Sequence, residues 1–173
     1  MRWLAFLAIV FSSAAHAQSV EETAFFLASG FDSAEHSTGI AKRSTSNGRN
    51  ASAEQLTMNG PCKFTFQRLN SYDGKVSAGR ISEFDFSKLS GIDFSTAAGI
   101  QGAVNITVIL QGEPGLYCTT PLYRETPDPK NRQCGPMGVV ELSLPQPQAP
   151  AFGVRYQQAL AYYRQQFCKG RAF

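Results

Sequence analysis

Glu83 and Asp85 stand two positions apart in a stretch that reads as a β-strand, which would place both carboxylates on one face. That is an arrangement general acid–base chemistry uses. The stretch also alternates these acids with Phe84 and Phe86, and such alternation describes the wet side of a half-buried sheet just as well. His36 lies between Glu35 and Ser37, so a nucleophile, a base and an acid can be written side by side. Groups that act together in that way usually converge from separate elements, and the chain carries no GxSxG elbow. No GxxxxGK loop is present, and no GxGxxG follows a strand. The sequence therefore assigns no catalytic residue and no cofactor.

Cysteine chemistry is the second possibility. Cys62, Cys118, Cys134 and Cys168 are the four cysteines, and no CxxC, CxxCH or HxxxH spacing joins them. That disfavours a metal site, a dithiol redox motif and attached haem, and points to two structural disulfides. Cys118 ends one expected strand and Cys134 precedes the next, so an antiparallel pair would join them at the base of a loop. That leaves Cys62 for Cys168, a bond that would tie a C-terminal helix to the sheet. Two other pairings satisfy the count.

The loop over residues 119–133 is the most decorated surface segment, with Tyr123, Arg124, Glu125, Asp128, Lys130 and Arg132. Tied at its base, it could serve as a binding edge for an envelope protein or a glycan, with Tyr123, Arg124 and Arg132 as the candidate contacts. The basic residues Lys42, Arg43 and Arg49 could form an anion-binding arm, but the Ser-, Thr- and Gly-rich composition of residues 32–53 reads as a solvated linker.

These candidates must be carried by a chain whose first residues have another purpose. Arg2, the apolar run over residues 4–11 and the Ala15-His16-Ala17 end are the three parts of a secretory signal. A membrane span needs about 20 apolar residues, and this run stops far short. Residues 1–17 are thus expected to be removed, and residues 18–173 to form one domain with no further span. Loss of Arg2 takes the formal charge from +3 to +2, too small an excess to argue for nucleic acid.

Ser19-Val20-Glu21-Glu22 is a capping box, followed by Val20, Ala24, Leu27 and Phe31 at helical spacing and by Gly30 as a stop. A helix is expected over residues 20–30. Strands are expected over 54–58 and 63–69, paired across the turn Asn59-Gly60-Pro61-Cys62, then over 76–86, 103–110, 116–119 and 139–144. Residues 87–99 read as irregular. Residues 145–150 read as a stiff proline connector into a final helix over 152–168. The fold class is α+β: an antiparallel sheet with an N-terminal and a C-terminal helix packed on it.

The helix Glu21-Glu22-Thr23-Ala24-Phe25-Phe26-Leu27, the segment Cys62-Lys63-Phe64-Thr65-Phe66 and the ending Phe167-Cys168-Lys169-Gly170-Arg171-Ala172-Phe173 resemble a group of small exported proteins of alphaproteobacteria. The resemblance implies a periplasmic setting and brings no activity, cofactor or site residue with it. Three functions remain open: a periplasmic binding or interaction module without catalysis, an inhibitor or accessory subunit of an envelope enzyme, and a carboxylate-dependent hydrolase. A concave pocket with a raised-pKa carboxylate would favour the hydrolase, and a loop standing proud of a flat surface would favour the inhibitor.

Overall fold

The computed structural model describes residues 19–123 and 125–168. The expected leader, Arg124 and the Lys169–Phe173 tail lie outside the described residues. The chain opens with helix α1 (Val20–Ser29), capped by the expected box: Ser19 Oγ accepts from the Glu22 amide at 3.1 Å, and Glu22 Oε2 accepts from the Ser19 amide at 2.8 Å. Gly30 ends the helix at φ 79°, a left-handed conformation that glycine enters without steric cost. Strands β1 (Glu35–Ser37), β2 (Ile40–Asn47), β3 (Asn50–Gly60), β4 (Lys63–Tyr72) and β5 (Lys75–Asp85) follow as an antiparallel meander. After one short helical turn come β6 (Leu89–Ala98) and β7 (Ala103–Gly112), then β8 (Tyr117–Tyr123), β9 (Thr126–Pro127), β10 (Gln133–Gly135) and β11 (Met137–Pro145). Helix α2 (Ala149–Phe167) completes the chain.

One expectation fails at the level of the sheet. Instead of a single sheet there are two, an eight-stranded one in the order β1-β2-β3-β4-β5-β8-β10 with β9 beside β8, and a three-stranded one in the order β11-β7-β6. The chain moves from the large sheet to the small one after β5, returns for β8 to β10, and leaves again for β11. Residues 32–53, expected as a linker, form β1, β2 and the start of β3. Only Ala41 of β2 is buried, so hydrophobic alternation is absent there, and backbone pairing with β3 supplies the order. Residues 87–99 are likewise strand over most of their length, with β6 paired to β7. The proline connector shrinks to three residues, because Pro145 ends β11 and Pro150 sits in the first turn of α2, where a missing N–H costs nothing.

Helix α1 has eight buried residues out of ten, Glu21, Thr23 and Ser29 among them, the profile of a helix enclosed by protein. Phe25 meets Phe66 of β4 edge-on at 5.6 Å between ring centroids. Phe26 meets Phe152 and Tyr156 of α2. At the helix end the Gly30 backbone lies so close to Leu142 of β11 that a Cβ would come within 2.7 Å of it. α2 extends this core, with Tyr163 edge-on to Phe64 and Phe86 and Tyr156 edge-on to Phe94. Burying each such aromatic side chain contributes roughly 1.5–3 kcal/mol. Two disulfides join Cys62 to Cys168 and Cys118 to Cys134.

The two buried tyrosines of α2 differ in one respect. Tyr156 donates to the Leu27 carbonyl at 2.7 Å, whereas the Tyr163 hydroxyl is buried without a hydrogen-bond partner. Burial pushes both phenols far above their usual range. Tyr156→Phe should therefore cost about 1–3 kcal/mol, because it orphans a carbonyl at the end of α1. That is a fall of several degrees in Tm for a domain of this size. Tyr163→Phe should leave Tm unchanged or raise it. Thermal unfolding of the two variants checks the contrast, and equal losses would contradict it.

Candidate functional site

The inner face of the large sheet changes character along its strands. In β4 the inward positions run Phe64, Phe66, Arg68, Asn70, and in β5 they run Phe84, Ser82, Arg80, Ala78. Aromatic residues thus give way to arginines and small polar residues where α1 ends. Register then assembles a row across four strands: Arg43 opposite Glu54, Glu54 opposite Arg68, and Arg68 opposite Arg80.

Each member of that row is placed differently. Glu54 is only 6 % exposed, and its Oε1 accepts from Nε and Nη2 of Arg68 at 2.8 and 2.7 Å. Its Oε2 has no hydrogen bond and lies 3.7 Å from Arg43 Nη1. Arg43 is stacked over the Phe31 ring at 4.0 Å. Arg80 is exposed and makes no ion pair among the described residues. The row therefore holds three cations against one buried anion. Such a charge set attracts an anion and repels a second cation.

Beside the row lies a cleft of about 300 Å³ between the large sheet and β11, with Ala28 of α1 at its end. Phe66, Phe84 and Val140 form its apolar floor, and Arg68, Arg80 and Glu141 its charged walls. Two hydroxyls close one side: Ser82 Oγ and Tyr117 OH are hydrogen-bonded at 3.1 Å. The Tyr117 ring is held against the Gly138 backbone of β11, at 3.1 Å from where a Cβ would stand. A side chain at 138 would push the ring away, so this glycine sets the distance between the sheets at the mouth of the cleft.

The residues singled out from the sequence lie elsewhere. Arg132 is folded back onto β5, donating from Nε and Nη2 to Glu83 Oε2 at 2.9 and 2.6 Å. The loop as a whole lies along β8 instead of standing proud, since β9 pairs with β8 and the Asp128 amide reaches the Pro121 carbonyl. Tyr123 ends β8 and is 69 % exposed, and Arg124 lies outside the described residues. Glu83 and Asp85 do share a face, the outer one, but each holds a separate cation: Arg132 for Glu83, and Lys63 at 3.0 Å for Asp85. His36 Nδ1 lies 3.3 Å from Glu22, at the start of α1, and neighbouring strand residues Glu35 and Ser37 point to the opposite face. Among the described residues no group of three or more His, Cys, Asp or Glu could hold a metal, and none of the cysteines is free. No helix among them is long and apolar enough to cross a membrane. No family model, no curated protein and no solved structure matches the chain.

Carboxylate electrostatics follow from these partners. Burial works to raise the Asp85 carboxyl, but the Ser87 hydroxyl and amide and the Lys63 ammonium together hold it below its usual 3.8. Glu21 behaves likewise: burial opposes ionisation, and the amides of Gly39 and Glu21 itself, the Ser19 hydroxyl and His36 outweigh it. A carboxyl lowered on folding contributes stability that is complete above its unfolded pKa and lost as pH falls through the folded one. Asp85→Asn should therefore cost on the order of 1 kcal/mol near neutral pH and clearly less at about pH 2, well below the usual carboxylate range. Denaturant unfolding at the two pH values checks this. An equal cost at both would show that Asp85 acts by shape alone.

Proposed function

We propose that the chain is an exported, periplasmic binding module without catalytic activity, and that its site is the cleft between the two sheets. The observation that carries this reading is the exposed, unpaired Arg80 beside a hydrogen-bonded pair of hydroxyls in a concave cleft, with Phe66, Phe84 and Val140 beneath it. The charged start, short apolar run and Ala15-His16-Ala17 end support export, and two disulfides suit an oxidising compartment. The resemblance to small exported proteins of alphaproteobacteria points the same way.

The competing readings are less well supported. A hydrolase would need a carboxyl held protonated near neutral pH, yet Asp85 and Glu21 are both shifted down and Glu83 is engaged by Arg132. An inhibitor would need a projecting loop, and the segment after β8 lies flat against it. A cleft of about 300 Å³ suits a small molecule better than the protein or glycan edge that the loop suggests from sequence.

Native mass spectrometry of protein recovered from the periplasmic fraction, incubated with small-molecule envelope extract, tests the proposal. The intact mass should start at Gln18, and a small-molecule adduct should form. Ala78→Trp, which fills the cleft from an exposed position, should abolish the adduct. No adduct with any extract, or an adduct that survives Ala78→Trp, would contradict the cleft as the site.

A further inference from the structure

Resting on the reading of the cleft as a binding site, we propose that its ligand is a compact organic monoanion: a carboxylate joined to an apolar body of aryl or short alkyl character. Size gives the first limit. A volume of about 300 Å³ holds on the order of ten water-sized groups at about 30 Å³ each. That accommodates one ring with a short acid side chain, or a medium alkanoate, and is too small to enclose a two-chain lipid.

Charge gives the second limit. Arg68 gives both Nε and Nη2 to Oε1 of the buried Glu54, so that edge of its guanidinium is committed. Arg80, one strand further, keeps its guanidinium fork for a ligand, and a planar carboxylate matches that fork with two parallel hydrogen bonds. The charged residues that line the cleft are Arg68, Arg80 and Glu141, a net charge of +1. A monoanion balances it. A dianion would carry one charge more than the lining balances and would meet repulsion from Glu141.

Position gives the third. Arg80 lies at the open end of the inward β5 series, and Ser82 and Phe84 follow toward the core. An acid anchored on Arg80 therefore has its apolar body directed past the Ser82–Tyr117 hydroxyl pair toward the nearly buried Phe84 and Val140. The order of cation, hydroxyls and aromatic floor along one strand reads as a head-to-tail template for such a molecule.

Isothermal titration calorimetry on the oxidised protein, with NMR shifts of the Ser82, Phe84 and Tyr117 amides to locate binding, tests this. The probes are phenylpropanoate and octanoate, the uncharged phenylpropanamide, and phenylethyl phosphate as a dianion. The two carboxylates should bind at least tenfold more tightly than the amide, the loss expected for one charge-assisted pair. Arg80→Gln should abolish that preference, whereas Arg155→Gln, remote from the cleft and paired with Asp32, should keep it. Glu141→Gln should strengthen phosphate binding relative to carboxylate. Equal affinity of acid and amide with shifts in the cleft would overturn the anion class and leave the cleft as a site. A preference that survives Arg80→Gln would overturn the assignment of the anchor. No shift at the cleft with any probe would overturn the cleft reading itself.

Discussion

The enclosure of α1 is the constraint from which the rest of the structure follows. A helix surrounded by protein cannot leave its terminal amides and carbonyls to water, so both ends must be closed from within. Ser19 and Glu22 close the start, and Glu21 reaches out to the Gly39 amide at 2.7 Å in the β1–β2 turn. The far end is closed by Ser29 Oγ on the Phe25 carbonyl, by the Gly30 amide on Phe26 and by Tyr156 on Leu27. The caps at Ser19 and Gly30 limit the helix to ten residues. At about 1.5 Å per residue it spans about 15 Å, while ten- and eleven-residue strands extend for roughly 33–37 Å. The helix therefore covers only part of the inner face of the large sheet. Where it stops, Arg68 and Arg80 replace Phe66 and Phe84, and the cleft opens.

The opposite end is held covalently. Cys62 sits in the β3–β4 turn at φ 62°, and its bond to Cys168 fixes the last turn of α2 over the Phe64 and Phe86 cluster. Bridging 106 positions of sequence removes about 4.7 kcal/mol of unfolded-chain freedom on the chain-entropy model, and bridging 16 removes about 3. The longer bond holds the core together. The shorter one fastens the loop after β8 to the outer face, where Arg132 meets Glu83 and is withdrawn from any ligand. One consequence links the two ends. With α2 pinned and α1 capped, the inner face has a rigid aromatic half and an uncovered polar half.

Features written in neighbouring residues were legible in the sequence. The capping box, the Gly30 stop, the turn at Pro61-Cys62 and the β-branched run of β7 each need only a short window. The expected cysteine pairing is the one present, with Cys118 and Cys134 at the base of one loop, although two other pairings satisfied the count. Features set by partners far along the chain were not legible. β2 has one buried residue, and β6 has a mixed pattern in which Ile92 and Phe94 face inward among Ser, Thr and Ala. Both exist because a neighbouring strand satisfies their backbone. The split into two sheets turns on where the chain crosses, which a periodicity of two does not encode. The arginine row was half visible: Phe64-x-Phe66-x-Arg68-x-Asn70 announces that one strand face leaves the core at Arg68. What the sequence could not give is that Arg43, Glu54 and Arg80 share that level, since that is a statement of register.

Native-state hydrogen exchange under increasing denaturant tests most directly whether α1 is the enclosed element on which both sheets depend. The amides of Phe25, Phe26, Leu27 and Ala28 should open only with global unfolding, at the same free energy and the same denaturant dependence as those of Phe64 and Phe66 in β4. Exchange of the α1 amides through a cheaper local opening, while the β4 amides stay protected, would contradict it. The cleft would then be bounded by a mobile helix and not by a fixed one.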